Sequence, residues 1–181
     1  MASPLVETKL FLPQPRGDAV TRPRLTELLD RGRGARLTLV SAPAGFGKTT
    51  LLARWLAAAE GQRSVAWLSL EETDSQPAQF WTYLVTAIQR AVPQFGDSAL
   101  ALLATRQPAL DGVLATLVNE LSAAPTELDV VLDDYHLIDN SDLQPGVAYL
   151  LEHLPPQVHL VISTRVDPAL PLAKLRARGR G

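Results

Sequence analysis

With 181 residues, 46% of them hydrophobic and 20% charged, the chain is long enough for one domain with a sizeable core and too short for two. Seventeen Lys and Arg against nineteen Asp and Glu leave a formal net charge of -2, which argues against a phosphate-backbone binder or a polybasic membrane anchor. Cysteine is absent, which excludes a disulfide framework, a thiolate zinc site and a cysteine nucleophile; no apolar run approaches the roughly 18 residues that span a bilayer, so a cytoplasmic chain without a membrane partner is expected.

Pro4, Pro13 and Pro15 punctuate a lead segment running to Gly17, which reads as extended chain laid across a domain surface. A short helix is predicted over Pro23 to Arg31, with Pro23 at its first position, Leu25, Leu28 and Leu29 on one apolar face and Gly32 as its stop. The pattern then changes to a compact apolar run, Leu37-Thr38-Leu39-Val40. It breaks at Ser41 to Gly47 and resumes at helical spacing as Leu51, Leu52, Trp55 and Leu56: strand, glycine-containing loop, helix. Further strands are predicted at Val65 to Leu70, Val130 to Leu132 and His159 to Ser163. Between them, Phe80, Trp81, Leu84, Val85 and Ile88 share one helical face, as do Val113, Leu114, Leu117, Val118 and Leu121. Buried strands alternating with helices imply an α/β fold, a parallel sheet covered on both faces. Residues 1–36 read as a lead region and 37–181 as the core. The stretch Leu170 to Gly181, carrying Lys174, Arg176, Arg178 and Arg180, shows neither a clear helix stop nor a following strand, as though the chain were cut there.

Ala42-Pro43-Ala44-Gly45-Phe46-Gly47-Lys48-Thr49 matches a Walker A loop with Ala42 in place of the first glycine. Gly45 and Gly47 let backbone N–H groups turn inward around phosphate oxygens, and the helix that starts near Lys48 adds its positive N-terminal end. Lys48 is expected to neutralise β/γ-phosphate charge and the Thr49 hydroxyl to ligate Mg²⁺. A nucleoside triphosphatase also needs a carboxylate at the end of a second buried strand. Asp133 and Asp134, after Val130-Val131-Leu132, supply it: Asp133 for the metal, Asp134 to polarise the attacking water. Arg165, at the carboxyl end of the fourth strand, is placed to read the γ-phosphate, the alternative being a surface pair with Asp167. Glu71, Glu72 and Asp74 read as a solvated loop. His136 reads as a lone histidine without a function, no second ligand standing near it at metal spacing. Trp55, Trp67 and Trp81 read as core.

Thr8-Lys9-Leu10 with Pro13, Val20 to Leu25, the string Leu37 to Thr50, Phe80-Trp81 with Tyr83-Leu84, Val131 to His136, and Leu160 to Arg165 with Asp167-Pro168 together resemble the ATPase domain of MalT-like regulators. These are the large ATP-binding members of the LuxR group, among the signal-transducing STAND ATPases. The resemblance implies that the strand His159 to Ser163 is inserted between the Walker A and Walker B strands. It implies that Val20, Arg22 and Pro23 approach the adenine while the loop through Thr50 holds the phosphates, with ATP and Mg²⁺ as cofactors. It also implies further parts not present here: a core strand, a winged-helix region, helical repeats and a C-terminal helix-turn-helix. On that reading DNA is contacted only through a domain absent from this chain, and self-association belongs to the full-length regulator. The expected function is a slowly hydrolysing ATP switch. Two alternatives stay open, a small-molecule P-loop kinase and an adaptor that holds nucleotide without hydrolysing it.

Overall fold

The computed structural model describes residues 4–15 and 17–178; Met1 to Ser3, Arg16 and the terminal Gly179, Arg180 and Gly181 lie outside them. Among these described residues four strands form the sheet: β1 (Leu37–Ser41), β2 (Ser64–Ser69), β3 (Leu128–Asp133) and β4 (Val158–Thr164). All pairings are parallel and the order is β1-β4-β3-β2. The last strand in sequence therefore separates the strand before the glycine loop from the strand that ends in the acidic pair, as the family resemblance implied. Every residue of β3 and β4 is buried, which explains why their sequences read as continuous apolar runs rather than as alternating ones.

Alternation still decides which side chain goes where. Leu128, Val130 and Leu132 of β3, with Val158, Leu160 and Ile162 of β4, join the larger core. That core is closed by α3 (Pro77–Ala91), α4 (Asp97–Leu103), α5 (Leu110–Ala123) and α6 (Gln144–His153). Val131 and Val161 face the other way, with Trp67, into a smaller cluster under α1 (Pro23–Gly32) and α2 (Lys48–Ala58), where Leu29, Leu52, Trp55 and Leu56 meet them. Each fully buried Leu or Val contributes about 1.5–3 kcal/mol by leaving water. The three tryptophans are core residues, 1–3% exposed. In α6, Gly146 allows a close approach: a Cβ there would sit 2.8 Å from Trp81 Cζ2.

The lead segment is more ordered than extended chain. Glu7–Leu10 forms a 3-10 turn, Leu10 is buried in the larger core, and the Val6 N–H donates to Tyr83 Oη at 3.0 Å. Helix α1 starts where predicted and runs one residue further, through Gly32, but its apolar face is narrower than expected: Leu29 is buried while Leu28 is 52% exposed. The terminal stretch, in which the sequence offered no clear helix stop, forms α7 (Leu172–Arg178), with Leu172 and Leu175 packed on the larger core. Lys174 of the basic cluster pairs with Glu152. Among the described residues no helix is long and apolar enough to cross a membrane.

Candidate functional site

The glycine loop joins β1 to α2 at the carboxyl end of the sheet. The Ala42 N–H still donates to Thr164 O, 3.2 Å away, and so extends the β1–β4 ladder by one residue. Positive φ begins only at Gly45 (81°) and recurs at Gly47 (72°), which explains why alanine is tolerated at position 42. At the two glycines the demand is conformational, since a Cβ would meet nothing within 4 Å at either, whereas left-handed backbone costs other residues about 1–2 kcal/mol. Gly47 precedes α2 without any side-chain cap, leaving first-turn N–H groups for an anion. Lys48 is 9% exposed, and its ammonium donates to Ala42 O at 2.7 Å and Pro43 O at 3.1 Å. The charge is thus held inside the loop by the loop's own carbonyls. Ala44 and Phe46 are on its exposed outer side.

The insertion of β4 brings Ser163 beside Asp133. The Asp133 carboxylate accepts hydrogen bonds from Thr49 Oγ1 (2.8 Å) on one oxygen and from Ser163 Oγ on the other. Burial pushes its pKa up, and those two hydroxyls offset this only in part. A buried carboxylate whose charge is incompletely balanced, in contact with a threonine hydroxyl, is an oxygen donor pair suited to a hard divalent cation. Asp134 follows with φ 59° and ψ 42°, left-handed backbone that Asp tolerates better than most residues. Its N–H donates to Ser163 Oγ at 3.0 Å. Ser163 therefore positions both acids, a role invisible in the sequence until its strand is placed next to β3. Arg165 is exposed immediately after β4 and forms no ion pair with Asp167 among the described residues.

Beside the loop lies a cavity of about 650 Å³, a size that admits a nucleoside. Val20, Arg22 and Pro23 line it together with Gly47, Thr50 and Leu51, so the lead region and the start of α2 share one pocket. Arg22 Nη1 donates to Phe46 O at 3.0 Å, tying the lead region to the loop, and Arg54 donates to Ala19 O. Sequence reasoning missed Thr26, Glu27, Asp30 and Arg54, which also line the cavity. Pro23, Thr26, Glu27 and Asp30 recur at helical spacing, and that polar face of α1 was the available signal.

Two other charged clusters correct or extend the sequence reading. Asp74, expected to be solvated, is fully buried. Lys9, 65 residues away, donates to both its oxygens at 2.9 and 3.0 Å and also pairs with the exposed Glu71. Burial alone disfavours the Lys9 ammonium, but the bonds to Asp74 and Glu71 outweigh it and hold its pKa above the ordinary value. This clamp fixes the lead segment beside β2. At the opposite end of the sheet from the loop, Asp129 is fully buried. It accepts from His159 Nδ1 (3.1 Å) and Arg63 Nε (3.0 Å), while His159 Nε2 meets Thr38 Oγ1 at 2.8 Å. Burial pulls the Asp129 pKa upward, yet the bonds from His159 and Arg63 outweigh it, and the net shift is downward. A carboxyl whose folded-state pKa is depressed stabilises the fold above its unfolded value, and that contribution is lost as pH falls through the folded one. We expect the melting temperature to drop steeply below about pH 4–5 and Asp129→Asn to flatten that limb while lowering stability at pH 7. Parallel acid limbs for the two proteins would refute this.

A parallel sheet with a strand inserted between the glycine-loop strand and the acidic strand, carrying Lys48, Thr49 and Asp133 at one end, defines a P-loop nucleoside triphosphatase fold. The chain belongs to the AAA ATPase domain family, which matches residues 21–163. It is 39% identical over 175 residues to the HTH-type transcriptional regulator MalT of Cronobacter sakazakii. It is 40% identical over 175 residues to MalT of Yersinia enterocolitica. Each alignment covers 96% of this chain and 19% of the relative, so the chain spans about one fifth of the length of these proteins. Among solved structures, the fold is similar to Cdc6p from Pyrobaculum aerophilum, with a TM-score of 0.55, 20% identity and coverage of 94% of this chain and 45% of that one. A chain in the structure of Drosophila ORC bound to AT-rich DNA and Cdc6 gives a TM-score of 0.50 at 16% identity, over 83% of this chain and 46% of that one.

Proposed function

We propose that this chain is the ATP-binding, slowly hydrolysing switch domain of a MalT-like transcription regulator. The observation that carries the reading is the Thr49–Asp133 contact of 2.8 Å, which joins the glycine loop to the acidic strand where a magnesium ion and the β/γ-phosphates would be held. In this reading residues 1–36 form the adenine-proximal lead region and 37–181 the phosphate-binding core. Val20, Arg22 and Pro23 face the base. The loop from Ala42 to Thr50 holds the phosphates, and Lys48 leaves its own loop carbonyls to neutralise their charge. Thr49 and, through water, Asp133 would hold Mg²⁺, which would withdraw charge from the terminal phosphate. Asp134 accepts a proton from the attacking water, and Arg165 stabilises charge at the γ-phosphate. ATP and ADP then favour different conformations in proportion to their differential affinity, ATP the self-associating state and ADP the resting one. DNA is contacted by another part of the regulator.

Turnover of Mg·ATP with no added acceptor tests the reading. Slow release of inorganic phosphate is expected; a kinase would show turnover only with an acceptor, and a non-hydrolysing adaptor would show none. Arg165 gives a second check. Arg165→Ala should weaken ATP binding about tenfold and leave ADP affinity little changed, because only ATP presents the γ-phosphate. An equal loss for both nucleotides in calorimetric titrations would assign the residue a structural role.

A further inference from the structure

His136 is held in place with nothing to bond. Both of its ring nitrogens are closed to solvent and neither has a hydrogen-bond partner. The other two histidines are satisfied: His153 Nδ1 lies 2.9 Å from Tyr149 O, and His159 meets Asp129 and Thr38. Arg33 also has unbonded guanidinium nitrogens, but it lies over the Trp55 ring and keeps Asp30 at 3.3 Å. Among the described residues the His136 side chain has no hydrogen bond, ion pair or ring contact. Closed-off donors and acceptors carry a free-energy cost that native structures seldom leave standing without a reason.

Its position supplies the reason. His136 sits in the 3-10 turn Tyr135–Leu137 that begins directly after Asp134. That turn is braced from both sides, by Leu137 N–H to Asp134 O at 3.0 Å and by Tyr135 Oη to Gln144 Oε1 at 3.0 Å. Tyr135 is buried deeply enough that its phenol pKa is pushed up to about 12, so it stays a neutral donor. Burial likewise lowers the pKa of His136, and the charges that reach the ring are those of Asp134, Arg165, Lys48 and Asp133. All four belong to the phosphate end of the site. A neutral imidazole carries one N–H donor and one acceptor, and a phosphate oxygen accepts what the ring has to give.

We propose that His136 is a nucleotide-state sensor whose ring N–H, closed off in the nucleotide-free fold, is uncovered as ATP binds and donates to a γ-phosphate oxygen, a partner that ADP does not offer. The inference rests on the reading of this site as an ATP site and adds to it the residue that reports which nucleotide is bound. The contact adds to the affinity for ATP alone, and the brace from Tyr135 to Gln144 links the turn to the first residue of α6. The nucleotide's identity is thereby coupled to the position of a helix outside the site.

The test uses the whole chain, with Mg·AMP-PNP and Mg·ADP as probes. With three histidines in the sequence, the imidazole ¹⁵N signals are few enough to assign, His136 by its loss in His136→Gln. AMP-PNP is expected to shift the His136 ring nitrogens and slow exchange of the ring N–H, and ADP to leave them unmoved. In titrations His136→Ala should bind AMP-PNP about tenfold more weakly, the effect of one unpaired hydrogen bond, with ADP affinity changed less than about twofold. His136→Asn or His136→Gln, which keep an N–H donor, should recover much of the loss; a packing role would show no such rescue. Wild-type protein that binds both probes with the ring signals unmoved overturns the proposal and leaves the ATP reading intact, even if His136→Ala does not fold. Wild-type protein that binds neither probe overturns both.

Discussion

Lys48→Ala is expected to raise the Kd for Mg·ATP by about 100-fold, or about 2.7 kcal/mol, within the range for a hydrogen-bonded charge facing phosphate oxygens. The fold should survive. The ammonium bonds only to Ala42 O and Pro43 O, both on a loop that water reaches, so the carbonyls it leaves are hydrated rather than stranded. Lys48→Met keeps most of the buried stem and removes only the charge, and it should lose ATP affinity to the same degree while melting closer to wild type. Calorimetric titration with a parallel thermal melt decides the matter: a folded variant with wild-type affinity would reduce the glycine loop to an ordinary turn.

The second large effect separates the two acids. Asp134→Asn should bind Mg·ATP within about threefold of wild type and lose about 10²- to 10⁴-fold in turnover, the range for removing a positioned base. Asparagine tolerates the left-handed backbone at this position, so a loss of turnover reports chemistry and not a refolded turn. Asp133→Asn should instead erase the difference between titrations with magnesium and with a chelator. It carries an independent signature as well. Because burial raises the Asp133 pKa, its carboxylate destabilises the nucleotide-free fold at neutral pH, and the penalty fades as pH falls through the raised value. Nucleotide-free Asp133→Asn should therefore melt at or above the wild-type temperature. If both variants lose binding equally, the division of roles between the two acids is wrong.

Much of this site could be read in the sequence because its parts are local. Gly45, Gly47, Lys48 and Thr49 stand within five residues between an apolar run and a helical pattern, and backbone geometry over so short a span depends on the residues themselves. The strands that became β3 and β4 were legible for a similar reason, since burial on both faces leaves a contiguous apolar signature. Helices α4 and α6 escaped notice: the first is a single seven-residue segment, and the second opens with Gln144-Pro145-Gly146, which reads as a turn. Asp74 looked solvated because its partner, Lys9, is 65 positions distant and no local pattern announces a long-range ion pair.

By itself, the sequence determined the fold class, the glycine loop, the acidic pair at a strand end and the arginine at another, all of them carried by neighbours along the chain. The tertiary structure alone decided which groups meet. Only the order β1-β4-β3-β2, which the family resemblance implied and residue patterns did not, sets Ser163 against Asp133 and Asp134. Only the packing of α1 on α2 places Pro23, Thr26 and Asp30 around one cavity with Gly47 and Leu51. The same assembly closes off the nitrogens of His136 and leaves them unpaired. A side chain's partners are set by which strands lie side by side and which helices cover them, and strand adjacency is a property of the whole chain that no window of residues encodes.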